Sequence, residues 1–310
     1  MITFDKLKIV ADIHAINVCD ETRFEFIEKD GVLSALKYYQ EHPFLLMIKV
    51  DYECGEVVIE FCGKILGNDY PKLISKDTIK QCFQAIEALG FVEVDFAAMM
   101  EAEVVKCDVT KDIPVEDVTQ VTDYIRSHIR NYQKFLCRKL KNGNVVVDKN
   151  VVSRKTKKRM TIYDKGKEMC RSANRPFVQK YGLEDAFSGM CRFELNLDSK
   201  EQIRKSLRIE DTKLMTVLSA DADPINDFLD EVVEPQDAVT MSDKKSYMTM
   251  LVLRDCDFDL EKVEAKMRVF HRSKGTVISK VMEPYKAMME QIGGQQGTAD
   301  MWMEIRRKLS

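Results

Sequence analysis

Residues 159–164 read Arg-Met-Thr-Ile-Tyr-Asp, and residues 190–197 read Met-Cys-Arg-Phe-Glu-Leu-Asn-Leu. Both segments alternate apolar and polar side chains, which is typical of a β-strand with one buried face. Tyr163 lies on the polar face of the first segment, and Arg192 and Glu194 lie on the polar face of the second. The sequence therefore predicts two strands whose polar faces present a tyrosine, an arginine and a glutamate.

Two more segments show the same alternation. Residues 104–109 place Asp108 on a polar face and Val105 on the opposite, apolar face, and residues 57–62 place Glu60 on a polar face. If the four strands share one sheet, the tyrosine and the three carboxylates converge on one side of it. Carboxylate oxygens are ligands that Mg²⁺ or Mn²⁺ prefers, so the three carboxylates are candidate metal ligands. The alternative for each is an ordinary solvent-facing position.

The periodicity over the whole chain predicts an α+β fold. We expect an antiparallel-rich sheet with helices packed on one face, followed by a mostly helical C-terminal region. Within the first part, helical spacing predicts helices at 78–89 and 115–140. The expected division is an α+β domain over residues 1–198 and a mostly helical region over residues 199–310.

The charge is unevenly distributed along the chain. The net charge is −3, yet residues 126–180 contain 17 Lys and Arg residues against three acidic ones. A basic segment within an acidic protein is typical of a local phosphate-binding face, although a solvated basic helix and hairpin is the alternative. The candidate DNA-binding residues are Arg130, Lys134, Arg138, Arg154, Lys155, Lys157, Lys158, Arg159 and Arg192.

Several classes of protein are disfavoured by what the sequence lacks. It has no apolar run of membrane-spanning length, and its first residues mix charges among apolar residues, unlike a signal peptide. Nine scattered cysteines without a C-x-x-C pair predict reduced thiols in a cytoplasmic protein. The sequence also has no Gly-rich phosphate loop and no His-x-His pair, which argues against nucleotide hydrolysis and a histidine-paired metal centre.

Four segments, in this order, resemble segments of the filamentous-phage gene II replication initiators and related rolling-circle plasmid initiators. They are Glu-Phe-Cys-Gly-Lys-Ile-Leu at 60–66, Val-Val-Lys-Cys-Asp-Val-Thr at 104–110, Met-Thr-Ile-Tyr-Asp-Lys-Gly-Lys-Glu at 160–168, and Gly-Met-Cys-Arg-Phe-Glu-Leu-Asn-Leu at 189–197. The resemblance covers roughly residues 43–210, so the C-terminal third lies outside it.

The resemblance implies an enzyme that cuts one strand of origin DNA, leaving a 5′-phosphotyrosine and a free 3′-hydroxyl. Carried over, Tyr163 is the nucleophile, and Lys165 and Lys167 lie near the phosphate. Asp108 and Glu194, with Glu60 as a further candidate, would hold a divalent cation, Mg²⁺ or Mn²⁺. The expected partner is origin DNA, and the C-terminal helical region is a candidate for contacts with a host helicase or a second copy of the chain. Neighbouring cations and the metal are expected to favour the phenolate, whose ordinary pKa is about 10.

Two departures from the family pattern leave alternatives open. The staphylococcal-type plasmid initiators place their tyrosine about a dozen residues earlier, where residues 149–155 here contain none. Tyr124 and Tyr132 therefore remain alternative nucleophiles, and Asn196 stands where a basic residue is usual. The main alternative function is a non-enzymatic initiator or repressor that only binds the origin, and an RNA-binding protein is a third.

Overall fold

The computed structural model describes residues 2–129, 135–149, 158–233, 244–256, 259–270 and 278–310. They form an α+β fold with a ten-stranded antiparallel sheet and a helical C-terminal region, which confirms the predicted fold class. The strands are β1 (Phe4–Asp12), β2 (Ile16–Val18), β3 (Glu25–Lys29), β4 (Val32–Gln40), β5 (Leu46–Asp51), β6 (Glu56–Cys62), β7 (Val92–Val94), β8 (Glu103–Pro114), β9 (Phe135–Lys139), β10 (Val145–Lys149), β11 (Arg159–Asp164) and β12 (Met190–Leu197).

The helices fall between and after the strands, and a 3₁₀ segment (Gly63–Lys72) follows β6. The helices are α1 (Ile79–Glu87), α2 (Phe96–Met100), α3 (Val118–Ser127), α4 (Lys165–Met169), α5 (Arg175–Tyr181), α6 (Lys200–Leu207), α7 (Leu214–Leu218), α8 (Pro224–Val232), α9 (Lys244–Asp255), α10 (Leu260–Phe270) and α11 (Ile278–Leu309).

The large sheet has the strand order β3-β4-β5-β6-β1-β8-β12-β11-β10-β9. The four strands singled out from the sequence, β6, β8, β11 and β12, all belong to it. Tyr163 is paired with Arg192, Glu194 with Thr110, and Asn196 with Asp108. Because paired residues in a sheet point to the same side, the tyrosine and the predicted carboxylates share one polar face.

A β-bulge in β1 changes which side chains reach that polar face. Phe4 is paired with Val109 and Lys6 with Asp108, so Asp5 is an extra residue in β1. An extra residue locally breaks the alternation of side chains. Phe4 is therefore buried, while Asp5 and Lys6 both make contacts on the polar side.

A second irregularity lies in β8, opposite the middle of β1. Lys8 is paired with Lys106 and Ile9 with Val104, which leaves Val105 as the extra residue. Val104 is fully buried and Val105 is half-buried. The prediction that Val105 lies on the buried apolar face is therefore wrong, because the bulge places Val104 on that face instead.

Helix α8 covers the apolar face of the sheet. Its Phe228 contacts Phe135 of β9 edge to face, with ring centroids 6.0 Å apart, and its Glu231 pairs with Lys149 of β10. By its contacts the chain divides into one unit of Met1–Val233 with Lys308–Ser310 and another of Glu234–Arg307. The first unit thus ends about 35 residues later than the expected boundary at 198, because α8 packs on the sheet.

The predicted helix at 115–140 exists only in its first half. Helix α3 begins where the Asp117 side chain accepts a hydrogen bond from the amide of Thr119. Residues 130–134 lie outside the described residues, and residues 135–139 form β9, which pairs with β10 across a turn at Gly143 with φ of 89°. The β9–β10 hairpin, whose turn has Gly143 in the left-handed region, forms in place of the helix that the spacing predicted. The predicted helix at 78–89 is confirmed as α1.

The C-terminal unit consists of helices in its described part. Leu253, Val263, Met267, Met282 and Met288 form a buried cluster among α9, α10 and α11. Among the helices of the described residues, none combines the length and apolar character needed to cross a membrane.

The packing of α8 on the sheet can be tested by truncating one ring. Phe228→Ala is expected to lower the free energy of unfolding by about 3–5 kcal/mol, because Phe228 is 1% exposed and its removal leaves a cavity. Urea unfolding of the whole chain is the measurement. The matched control is Phe26→Ala on β3, where the ring is 52% exposed and the expected change is below about 0.5 kcal/mol. Equal losses in the two variants would show that α8 is not part of the sheet core.

Candidate active site

Arg192 of β12 is a fully buried cation at the centre of the polar face. Its Nε and Nη2 atoms donate to the two carboxylate oxygens of Asp112, at 2.6 and 2.7 Å. Its Nη1 atom donates to Asp5 at 2.7 Å and to the Tyr70 hydroxyl at 3.0 Å. A buried charge is costly unless it is paired and hydrogen-bonded, and these contacts meet that requirement. Burial, the largest single influence, would raise the pKa of Asp5, but the charges of Arg192, Lys165 and Lys64 and the hydrogen bond from Tyr70 together hold that pKa below its usual value.

Tyr163 of β11 is hydrogen-bonded to Glu194 of β12. The phenol donates to Glu194 Oε1 at 2.6 Å, and the same carboxylate oxygen lies 3.9 Å from Arg192 Nη1. Burial, with a contribution from the Asp5 charge, raises the pKa of Glu194 to about 7. Arg192 offsets this only in part, because Asp5 and Asp112 are closer to the guanidinium. Glu194 is therefore a carboxyl group that titrates near neutral pH and is hydrogen-bonded to the Tyr163 hydroxyl.

The environment of Tyr163 differs from the sequence-based expectation. The side chain is 7% exposed, and burial together with the Glu194 charge raises its pKa well above the ordinary value of 10. The expected shift toward the phenolate therefore does not occur in this structure. Because the phenol is protonated, any attack by it requires a proton acceptor, and Glu194 Oε1 is already at hydrogen-bond distance.

Lys165 is buried beside the tyrosine, and Lys167 is not. The Lys165 ammonium lies 2.6 Å from Glu168 Oε2 and 5.8 Å from the centroid of the Tyr163 ring. Burial and the Arg192 charge lower the pKa of Lys165. Lys167, in contrast, is exposed and pairs with Asp164 at 3.3 Å. Of the two lysines expected near the phosphate, Lys165 belongs to the network around the tyrosine, and Lys167 lies on the surface.

Glu168 continues this network away from the sheet. Burial opposes its ionisation, but the charges of Lys165 and Lys64 and the hydrogen bonds from Lys165 and Asn174 together lower the pKa of Glu168. Its other oxygen accepts a hydrogen bond from Asn174 at 2.6 Å, and Asn174 in turn accepts one from Lys64 at 2.7 Å. The charge of Lys165 beside Tyr163 is therefore held in place by a set of hydrogen bonds that extends to Lys64.

The three predicted metal ligands share a face without forming one cluster. Glu60 contacts Lys6 at 3.2 Å and Lys8 at 3.4 Å. Asp108 accepts a hydrogen bond from Asn196 at 2.7 Å, and burial raises its pKa. Strands β6 and β12 are three strand spacings apart, which is about 14 Å. Glu60 on β6 is therefore separated by about this distance from Glu194 on β12.

Protein cations already neutralise all three of these carboxylates in part. Lys6 contacts Glu60 and adds charge near Asp108, while Arg192 is close to Glu194. Within the described ranges, no group of three or more His, Cys, Asp or Glu side chains is arranged to hold a metal ion. As placed here, the predicted donor set does not fit a single metal ion. The requirement for a divalent cation stays a prediction, and no step proposed below depends on it.

The predicted DNA-binding residues have different surroundings. Arg138 and Arg159 both pair with the buried Asp148, and both keep about half of their side-chain surface exposed. Lys158 is half-buried, and burial lowers its pKa. The prediction of Arg192 as a DNA contact is wrong for this conformation, because its guanidinium has no exposed surface. The remaining five, Arg130, Lys134, Arg154, Lys155 and Lys157, lie outside the described residues.

The alternative nucleophiles can be compared only in part. Tyr124 is buried in α3, where its ring stacks on His128 with centroids 4.1 Å apart. Tyr132 lies outside the described residues. Of the two tyrosines that can be compared, Tyr163 is the one bonded to a carboxylate on the polar face.

Sequence patterns missed several residues of the network, for different reasons. Asp112 continues the alternation of Asp108 and Thr110, so extending the predicted strand by three residues would have placed it on the polar face. Asp5 gives no such signal, because a bulge directs it there. Tyr70 comes from the 3₁₀ segment, whose contact with β12 no local pattern indicates.

No family model, curated protein or solved structure matches this chain.

The structural role of Arg192 can be tested by removing its charge. Arg192→Met is expected to lower the free energy of unfolding by about 3–5 kcal/mol, because Asp5 and Asp112 lose the cation that compensates them. Chemical denaturation at neutral pH is the measurement. The control is Arg204→Met on the exposed side of α6, with an expected change within about 0.5 kcal/mol. A loss below about 1 kcal/mol for the first variant would contradict the central role of the buried guanidinium.

The raised pKa of Glu194 predicts a pH-dependent difference between wild type and Glu194→Gln. The folded state holds the Glu194 proton up to about pH 7, whereas the unfolded chain releases it near 4.5. The wild type therefore loses stability relative to the variant as pH rises through this window, by on the order of 3 kcal/mol in total. Unfolding free energies measured between pH 4 and 8 test this.

Glu168→Gln serves as a control of opposite sign, because the folded-state pKa of Glu168 is lowered. Its wild-type carboxylate contributes stability that is present above pH 4.5 and is lost as pH falls. A difference curve for Glu194→Gln that is flat, or that has the same sign as this control, would contradict the raised pKa of Glu194.

Proposed function

We propose that this protein nicks and rejoins one strand of DNA at a replication origin, through a covalent phosphotyrosine at Tyr163, as the initiation protein of a plasmid or phage. The observation that most supports this is the 2.6 Å hydrogen bond from the Tyr163 hydroxyl to Glu194. A nucleophile hydrogen-bonded to a base, with cations around the pair, is the arrangement that covalent catalysis uses. The order of sequence segments that resembles rolling-circle initiators supports the same proposal.

In the proposed reaction Glu194 takes the phenolic proton while Tyr163 Oη attacks the phosphorus. The new O–P bond forms as the bond from phosphorus to the 3′-oxygen breaks, and the departing oxygen takes up a proton to become a 3′-hydroxyl. The segment on the 3′ side of the cut remains joined to the tyrosine through its 5′-phosphate. Attack by a 3′-hydroxyl on the phosphotyrosine reverses the step, so rejoining needs no nucleotide hydrolysis.

The charges around the pair suit this reaction. Glu194 must be deprotonated to act as the base, and a pKa of about 7 provides a large fraction of that form at neutral pH. Lys165 and Arg192 supply positive charge close to the phenol as negative charge develops on the phosphate. The basic segment at 126–180 would hold the flanking DNA phosphates, with Arg138 and Arg159 among its exposed described members.

A non-enzymatic origin-binding initiator or repressor is the second candidate. Tyr163 is only 7% exposed and its pKa is raised, which is also what a tyrosine with a purely structural role would show. In that case the hydrogen bond to Glu194 would only stabilise the pairing of β11 with β12. The two candidates differ in whether DNA becomes covalently attached.

Covalent attachment can be measured directly. Incubation with labelled single-stranded origin DNA and Mg²⁺ or Mn²⁺ is expected to give an SDS-resistant protein–DNA band, and Tyr163→Phe is expected to abolish it, because phenylalanine has no nucleophilic oxygen. Mass spectrometry of the modified peptide identifies the residue. Tyr124→Phe is the matched control and should retain the adduct.

Three outcomes would contradict parts of the proposal. An adduct that persists in Tyr163→Phe would assign the nucleophile elsewhere. Nicking that persists in EDTA would show the divalent-cation requirement to be wrong. Binding of origin DNA with no adduct in any condition would favour the non-enzymatic candidate.

A further inference from the structure

A cavity of about 690 Å³ opens between α4, α5 and the loop that leads into β12. We call it the α4–α5 pocket. Its apolar lining includes Met169, Leu183 and Phe187. Its charged lining consists of the cations Lys167 and Arg175 and the carboxylates Asp164, Glu184 and Asp185. It has the size of a site for a small ligand, and it combines apolar walls with a few polar groups, as ligand sites usually do.

The pocket is next to the candidate nucleophile. Asp164, which lines it, directly follows Tyr163 in β11. Phe187 lines it as well, and the ring of Phe187 lies 5.8 Å from the Lys165 ammonium and 5.9 Å from the guanidinium carbon of Arg192. The Phe187 ring thus contacts the charged network around Tyr163 and also contributes to the pocket wall.

The wall is held closely in place at Gly166. A Cβ atom there would come within 2.8 Å of the Phe187 carbonyl oxygen, so α4 and the loop before β12 approach as near as a glycine permits. This contact fixes the spacing of two of the three segments that enclose the pocket. The cavity is therefore a preformed feature of the fold.

The lining matches the chemistry of a nucleotide. Apolar side chains suit the flat faces of a base, and Arg175 suits a phosphate, whereas Lys167 is already paired with Asp164. The carboxylate of Asp185 suits a base edge that donates from an amino group, such as the cytosine N4 amine. Guanine also has an amino group, at N2, whereas thymine has none, and its N3–H is flanked by two carbonyl oxygens that a carboxylate repels.

We propose that the α4–α5 pocket binds one nucleotide of the DNA strand beside the cleaved phosphate, and that it prefers a base with an exposed amino group. The inference rests on the proposed function for the identity of the strand. It adds a specificity site to the nicking reaction, because a base held in this pocket fixes which phosphate reaches Tyr163.

Cys170 gives a direct test, because it lines the pocket and is exposed. The rate of its alkylation by N-ethylmaleimide would be measured by peptide mass spectrometry, with dCMP, dGMP or dTMP added. Saturating dCMP and dGMP are expected to slow the reaction at Cys170 at least fivefold, and dTMP less than twofold. Cys19 and Cys54, which are exposed elsewhere, are internal controls whose rates should not change.

A pair of variants tests the base preference. Asp185→Asn is expected to remove the difference between dCMP and dTMP, while Asp221→Asn, at an exposed site outside the pocket, should preserve it. The proposal is overturned if none of the three nucleotides protects Cys170, if all three protect it equally in the wild type, or if Cys19 and Cys54 are slowed to the same extent.

The outcome is independent of the nicking reaction, because the alkylation assay requires no cleavage. Selective protection of Cys170 without a Tyr163 adduct would support the nucleotide pocket and overturn the nicking proposal. An adduct at Tyr163 without protection of Cys170 would support the nicking proposal and overturn the nucleotide pocket.

Discussion

The buried guanidinium of Arg192 is the constraint on which the rest of the site depends. A positive charge removed from water must be matched by nearby acceptors, and here they come from distant parts of the chain. Asp112 is opposite it by strand register, Asp5 reaches it through a bulge in β1, and Tyr70 reaches it from the 3₁₀ segment. The site is therefore complete only when β1, β8 and β12 are paired and the 3₁₀ segment is packed above them.

The same constraint explains the protonation of the tyrosine pair. Arg192 makes its short contacts with Asp5 and Asp112, and Glu194 Oε1 is the more distant oxygen at 3.9 Å. Glu194 is thus left with incomplete compensation in a buried position, and its pKa rises to about 7. The arrangement lowers the stability of the folded state at neutral pH, since the buried Glu194 carboxyl keeps its proton at a pH where it would be ionised in water. A carboxylate with this proton affinity is also a better proton acceptor for a phenol than an exposed one.

Local alternation of side chains predicted much of this arrangement. It was sufficient to place Tyr163, Glu194, Asp108 and Glu60 on one face, because a regular strand has a fixed period of two. It failed at Val105 and could not find Asp5, since each bulge shifts the period by one residue and the cause lies in the partner strand. The helical spacing after Pro114 was misleading for a similar reason, because the hairpin of β9 with β10 is settled by pairing across the turn. Whether carboxylates on one face also meet at one point depends on how many strands separate them, which no local pattern shows.

The bulge at Asp5 also limits how the gene for this protein can change. In a strand of regular alternation, most surface substitutions alter one side chain and leave the others in place. In β1 the residues before and after Asp5 follow alternation patterns that are offset by one, so Phe4 and Leu7 are both buried although three positions separate them. Loss of a single codon there would restore regular alternation and leave Arg192 with one carboxylate fewer. The first dozen codons should therefore accept changes of identity at the positions that are neither buried nor bonded to Arg192, but very few changes of length.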